Sequence, residues 1–312
     1  MAEWPMAEET ARLAVVGAGT MGVGIAYTAA NAGYAVELVE IDPDRSREAA
    51  RQLDQLWDGA VARGRTTAEQ AAAARRLVTS RRGLEEVAHG AEVIVEAVPE
   101  RLELKHAVLP AAEAREPRLL ASNTSSISIA QLAEPLARPD RFLGLHFFNP
   151  VWAMALVEVV IGPSTSEDAR SDALRVVTAL GKQAVVVNDA PGFATSRLGV
   201  AVGLEAIRMV EEGVASPADI DTAMTLGYRH PVGPLELGDV VGLDVRLDIA
   251  RTLQAAYGER FAPPKLLEEM VAAGRVGRKC GEGFYRWTDG VRSGGDQVLG
   301  RPGAPPGRPE PR

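Results

Sequence analysis

The sequence of 312 residues holds a single cysteine, Cys280, and only four histidines. One thiol cannot form an internal disulfide, which fits a reducing, cytoplasmic setting. So few thiols and imidazoles leave little material for a structural zinc site, and no metal is expected. Positive charge is also short: 34 Lys and Arg stand against 42 Asp and Glu, a net charge of −8, with a pI of about 5.2. No global field therefore draws in nucleic acid or an anionic membrane, and neither is an expected partner. An anionic ligand must be held locally, by helix N-termini or single cations. The opening stretch MAEWPMAEETAR is acidic and lacks an apolar core, so it does not read as a secretory signal. Leu13 to Val36 carries no charge and is long enough to suggest a membrane helix. Five glycines and an asparagine interrupt it, however, so it reads as a buried strand, a turn and a helix, and no membrane segment is expected.

What remains is an ordinary globular composition, 46% hydrophobic and 24% charged. The length suggests about two domains. Strands are predicted at Ala11–Val16, Tyr34–Glu40, Leu77–Thr79, Glu92–Val98, Leu119–Ala121, Phe142–Phe147, Val157–Ile161 and Ala184–Val187. Helical segments alternate with them, among them Met21–Ala32, Asp44–Val61, one capped within Thr66–Glu69, Arg101–Ala114 and Glu167–Leu180. This alternation predicts an α/β fold, a doubly wound Rossmann-type domain with a largely parallel sheet over residues 11–188. The pattern then changes. Residues 189–288 predict an all-α domain: a helix from Pro191, a second capped by Ser216, then Leu235–Ala256 and Lys265–Ala273, with no strand. Residues 1–10 read as a flexible start and 289–312 as a disordered Gly/Pro-rich tail.

Gly17-Ala18-Gly19-Thr20-Met21-Gly22 has the form GxGxxG, and its setting gives the motif weight: a strand precedes it and a helix follows. The first glycine permits the tight turn, the second lets a pyrophosphate approach the backbone, and the third lets helix and strand pack closely. Glu40 ends the next strand, where an acid accepts hydrogen bonds from a ribose and repels a 2′-phosphate. NAD is therefore the expected cofactor, although Arg45 and Arg47 nearby leave NADP open.

The run FLGLHFFNPVWAMALVEVV, residues 142–160, places polar groups in an apolar stretch. His146 ends one strand and Glu158 lies in the next. If the loop between them folds back, Glu158 can orient His146 as a general base and stabilise the imidazolium. A satisfied core histidine beside a strand-edge glutamate is the plainer alternative. Cys280 has no base beside it and reads as an inert small residue.

These segments together resemble the L-3-hydroxyacyl-CoA dehydrogenase family in its short single-function form, which includes 3-hydroxybutyryl-CoA dehydrogenases. The matching pieces are VVGAGTMG (15–22), VEAVPERLELK (95–105), SNTSS (122–126), GLHFFNP (144–150), LVEVV (156–160), DAPGF (189–193), ADIDTAM (218–224) and GRKCGEGFY (277–285). The resemblance implies oxidation of a (3S)-3-hydroxyacyl-CoA to the 3-oxo compound with NAD, as in fatty-acid β-oxidation, and a homodimer through the helical domain. It implies His146 as the base, Glu158 as its partner, and Ser125 as a hydrogen-bond donor to the reacting oxygen near the nicotinamide. Glu40, Glu100, Lys105, Ser125, Asn149 and Lys279 match positions that contact NAD. Arg63 falls near a lysine that meets the CoA phosphates, and the acyl-CoA is expected between the two domains.

Two stretches depart from the family pattern. Ser196 stands where an asparagine is usual; its hydroxyl can still donate, with shorter reach. The loop Val151-Trp152-Ala153-Met154-Ala155 stands where the family commonly has a second proline and a lysine, and Trp152 adds bulk beside the base. Both changes concern the acyl side of the substrate. A dehydrogenase of a free 3-hydroxy acid and an NAD-binding protein without turnover are the two other readings the sequence leaves open.

Overall fold

The computed structural model describes residues 10–293. Nearly all of the flexible start and most of the Gly/Pro-rich tail lie outside the described residues. The chain divides into two compact units at Phe193/Ala194.

The first unit runs β1 (Arg12–Val16), α1 (Thr20–Asn31), β2 (Ala35–Val39), α2 (Pro43–Ala62), α3 (Ala68–Arg76), β3 (Val78–Arg81), β4 (Val93–Glu96) and α4 (Leu102–Glu113). It continues with β5 (Leu119–Ser122), α5 (Ile129–Ala133), β6 (Phe142–Phe147), β7 (Leu156–Ile161), α6 (Glu167–Ala179) and β8 (Gln183–Asn188). Local chemistry sets many of the helix starts. Asp42 accepts from the N–H groups of Asp44 and Arg45 to open α2. Thr67 and Gln70 form a reciprocal capping box at α3. Ser128 caps the short helix α5, which the sequence reading did not anticipate.

The strands form one sheet in the order β3-β2-β1-β4-β5-β6-β7-β8. From β3 to β6 all neighbours are parallel; β7 turns back antiparallel to β6, and β8 lies parallel to β7. Alternate residues of β1 serve opposite faces. Leu13 and Val15 join the core beneath α1, α2, α3 and α6, while Ala14 and Val16 join the core beneath α4 and α5. Burial on both faces is why the central strands read as continuous apolar runs. Each fully buried Leu, Ile or Phe contributes roughly 1.5–3 kcal/mol of transfer free energy. Strand order reverses between β1 and β4, and a crevice opens there at the carboxyl ends, the usual ligand position in such sheets.

The second unit is helical: α7 (Thr195–Glu211), α8 (Pro217–Thr222), α9 (Pro234–Val241), α10 (Leu243–Tyr257) and α11 (Lys265–Ala272). Ser216 caps α8 through the Asp219 N–H, as predicted. Three expectations are corrected here. The helix predicted from Pro191 begins at Thr195, because Gly192 (φ 76°) and Phe193 (φ 46°) hold left-handed backbone. The predicted helix Leu235–Ala256 is broken at Gly242, whose φ of 110° no helix contains. The unit is also not wholly α. Arg286–Thr288 (β9) and Val291–Ser293 (β10) pair antiparallel, so residues 289–293 are ordered rather than part of a disordered tail. Asp289 (φ 51°) and Gly290 (φ 74°) supply the two consecutive positive φ angles of a primed hairpin turn. Trp287 anchors the hairpin, donating its indole N–H to the buried Asp239 at 3.0 Å.

Candidate active site

The glycine loop closes the carboxyl end of β1. Gly17 takes φ 103°, and a side chain there would meet the Ala97 carbonyl at 2.8 Å. A Cβ at Gly22 would fall 1.8 Å from the Gly17 carbonyl, so this glycine lets the first turn of α1 press onto the loop itself. Gly19 differs: a Cβ there would meet nothing within 4 Å. It borders an open cleft of about 800 Å³, together with Gly17, Thr20 and Met21. Gly19 caps α1 without a side-chain bond, so the first N–H groups of the helix keep their capacity for an anion.

Glu40 lines the same cleft at the end of β2. Its carboxylate accepts from Ala18 N at 3.3 Å and Asp42 N at 3.1 Å, joining the glycine loop to β2. Arg45 also borders the cleft, whereas Arg47 pairs with Asp44. The cradle a Cβ would fill at Gly19, the free helix N-terminus and the acid at Glu40 fit a dinucleotide with an unphosphorylated ribose.

At the other end of the cleft, His146 and Glu158 are direct partners in the antiparallel β6–β7 register. His146 Nδ1 lies 2.8 Å from Glu158 Oε2. Glu158 is fully buried and His146 is 7% exposed. A carboxylate only accepts, so Nδ1 carries the hydrogen and the neutral ring keeps its lone pair on Nε2. No hydrogen bond within the described residues occupies Nε2, and His146 borders the cleft. Phe148 and Phe193 hold the ring, with centroids 4.3 and 5.8 Å away.

Ser125 and Asn149 line the cleft beside His146. Ser125 sits after β5, and its N–H donates to Glu100 at 2.9 Å. Glu100 also borders the cleft. Burial would raise its carboxyl pKa, but the Lys105 ammonium and the Thr124, Ser125 and Ser126 donors hold it below the ordinary value.

The matching family models complete the picture. The model for the NAD binding domain of 3-hydroxyacyl-CoA dehydrogenase covers residues 12–190, and the one for its C-terminal domain covers 192–287. The chain belongs to the 3-hydroxyacyl-CoA dehydrogenase family. It is 38% identical over 284 residues to a probable 3-hydroxybutyryl-CoA dehydrogenase of Bacillus subtilis, spanning 90% of this chain and 99% of that protein. It is equally 38% identical to the human mitochondrial hydroxyacyl-coenzyme A dehydrogenase, over 88% of this chain and 90% of the relative. The crystal structure of (S)-3-hydroxybutyryl-CoA dehydrogenase from Ralstonia eutropha superposes with a TM-score of 0.86 at 35% identity, covering 90% of this chain and all of that one. This 3-hydroxyacyl-CoA dehydrogenase is an oxidoreductase whose cofactor is NAD. Among the described residues, no helix is long and apolar enough to cross a membrane.

Not every position singled out in the dehydrogenase sequence borders the cleft. Lys105 is 1% exposed, and its Nζ is bound to both oxygens of the fully buried Glu96, at 2.8 and 2.9 Å. It lies beneath the site rather than in its wall. Gly22 is buried under the loop. Arg63 lines a different recess of the first unit, with Arg65, Lys182 and Trp152. Ser196 occupies the first turn of α7, in the second unit. Lys279, also in the second unit, pairs with Asp244 and draws that carboxyl's pKa down. Cys280 Sγ is spent on the carbonyls of Gly277 and Glu282.

The sequence reading of the dehydrogenase missed Glu96, Ser122, Asn123 and Thr124. Glu96 accepts from Ser122 Oγ at 2.5 Å and Val98 N at 2.7 Å. Asn123 Oδ1 accepts from Phe147 N at 2.9 Å and so ties the end of β5 to the strand that carries His146. The signal was available: Glu96 is an acid closing the apolar strand VIVE, the same anomaly that marked His146.

Proposed function

We propose that the protein interconverts a (3S)-3-hydroxyacyl-CoA and its 3-oxoacyl-CoA, with short acyl chains such as 3-hydroxybutyryl-CoA. The observation that carries this reading is the fully buried Glu158 facing His146, which lines the dinucleotide cleft and whose Nε2 has no hydrogen bond among the described residues. Nε2 takes the proton of the 3-hydroxyl. Glu158 fixes the tautomer and stabilises the imidazolium that forms. The Ser125 hydroxyl donates to the reacting oxygen, where negative charge develops in either direction. NAD, when bound, supplies the hydride acceptor. Gly19, Thr20, Met21 and Glu40 would hold its diphosphate and adenine-side ribose, and Asn149 would border its nicotinamide half.

The recess with Arg63, Arg65 and Lys182 supports a place for the CoA phosphates, with Trp152 at its rim. Ser196 serves the substrate carbonyl in place of an asparagine, and Lys279 the cofactor. A free-acid substrate is less well supported: the only cation bordering the cleft among the described residues is Arg45, on the Glu40 side. A homodimer through the helical unit is supported by an exposed apolar set, Leu198 and Val202 on α7 with Leu237 and Val241 on α9 and Val245 on α10.

The test is NADH oxidation with acetoacetyl-CoA, longer 3-oxoacyl-CoAs and free 3-oxo acids. Turnover is expected with the CoA thioesters, fastest with the short ones. Turnover with free acids alone would overturn the substrate, and none with any compound would favour a binding protein.

A further inference from the structure

The carboxylate of Glu100 is used unusually heavily. Its Oε1 accepts from Thr124 Oγ1 at 2.7 Å, Ser125 N at 2.9 Å, Ser126 N at 3.0 Å and Ser126 Oγ at 3.1 Å. Three successive residues of the turn after β5 thus converge on one oxygen. Thr124 Oγ1 in turn accepts from Ile127 N at 2.9 Å, which closes the turn. The Ser125 hydroxyl makes the longest of these contacts, 3.4 Å, so its main chain is held while its side chain stays available to a ligand.

Glu100 is itself held from below. Its other oxygen, Oε2, lies 3.3 Å from the Lys105 ammonium, and Lys105 is bound on its far side by the buried Glu96. Two carboxylates share one ammonium: Glu96 and Lys105 are buried and the Glu100 side chain is one-third exposed, so removing the ammonium would leave two acids close together without a cation between them. Lys105 therefore has no capacity left for a ligand, and it fixes where Glu100 can stand.

We propose that Glu100 is a positioning residue that acts on the reaction through Ser125. Its carboxylate shapes the Thr124–Ser126 turn so that the Ser125 hydroxyl points at the reacting oxygen, and Lys105 pins that carboxylate. The inference rests on the reading of Ser125 as the donor to that oxygen. It differs from a direct cofactor contact by Glu100, because the energetic effect of Glu100 must vanish once the Ser125 hydroxyl is gone.

A double-mutant cycle in kcat for acetoacetyl-CoA reduction, with NADH affinity measured alongside, tests it. Ser125→Ala is expected to lower kcat about a hundredfold. Glu100→Ala is expected to lower kcat at least tenfold while NADH affinity stays within about twofold. The double variant should match Ser125→Ala within about threefold. Thr124→Val keeps the volume but removes the bridging hydroxyl. It should lower kcat in the native background and change nothing further beside Ser125→Ala, so the proposal stays testable should Glu100→Ala fail to fold. Multiplying losses, or a Glu100→Ala variant that loses NADH affinity with kcat retained, would overturn the positioning role and leave the Ser125 reading intact. A silent Ser125→Ala would overturn both.

Discussion

His146 and Glu158 are directly paired across β6 and β7, with Nδ1 and Oε2 2.8 Å apart and the carboxylate fully buried. Twelve residues of sequence become one cross-strand pair because the chain reverses between them, and both side chains then share a face. His146→Ala should therefore lower kcat by about a hundredfold or more with NADH binding retained. Glu158→Gln should lower it by two to four orders of magnitude, since an amide no longer enforces the Nδ1–H tautomer or steadies the imidazolium. Steady-state kinetics with parallel NADH titration check both, and unchanged turnover in His146→Ala would remove it as the base.

The glycines of the loop have different reasons to be glycine, which can be told apart. Gly19→Ala places a methyl in open cleft space, so the melting temperature should hold while NADH affinity falls about tenfold or more. Gly22→Ala drives a methyl into the Gly17 carbonyl, so the melting temperature should drop as well, by several degrees. Thermal melts with and without NADH separate the two.

Glu40 should set the choice of dinucleotide. Glu40→Ser is expected to weaken NAD and improve the relative use of NADP, because it removes the charge that opposes a 2′-phosphate while Arg45 remains nearby. The ratio of kcat/KM values for the two cofactors is the measurement. A ratio that does not move would remove Glu40 from ribose recognition.

Away from the site, Asp172 should make stability depend on acid. It is nearly buried, and burial alone would raise its pKa. Hydrogen bonds from the Arg118, Arg175 and Arg141 guanidiniums outweigh that and hold it far below the ordinary value near 3.8. A carboxyl depressed in the folded state binds its proton more readily when unfolded. Its stabilisation is therefore complete above about pH 4 and lost as pH falls through the folded value. Asp172→Asn should cost on the order of 3 kcal/mol at pH 7 and flatten the loss of stability below pH 4. Urea melts from pH 7 to pH 3 would show the difference in slope.

Much of this enzyme follows from sequence alone. Hydrophobic period, glycine punctuation and caps are local, so the alternating strands and helices, the phosphate loop and the acid at Glu40 could all be read in order along the chain. The resemblance of short motifs extended that to His146 and Glu158, the proposed base and its partner. Other features required the tertiary structure, because they depend on which segments meet. Lys105 reads as a surface helix charge or a cofactor ligand until β4 places Glu96 against it. Glu100 is separated by 24 to 26 residues from the turn it gathers. The break at Gly242 and the hairpin after Trp287 depend on positive φ angles, and on Asp239 reaching Trp287 from 48 residues away. Local chemistry determined the elements, and short motifs pointed to the groups proposed to react. Long-range burial of charge decided which of those groups face the cleft and which hold the others in place.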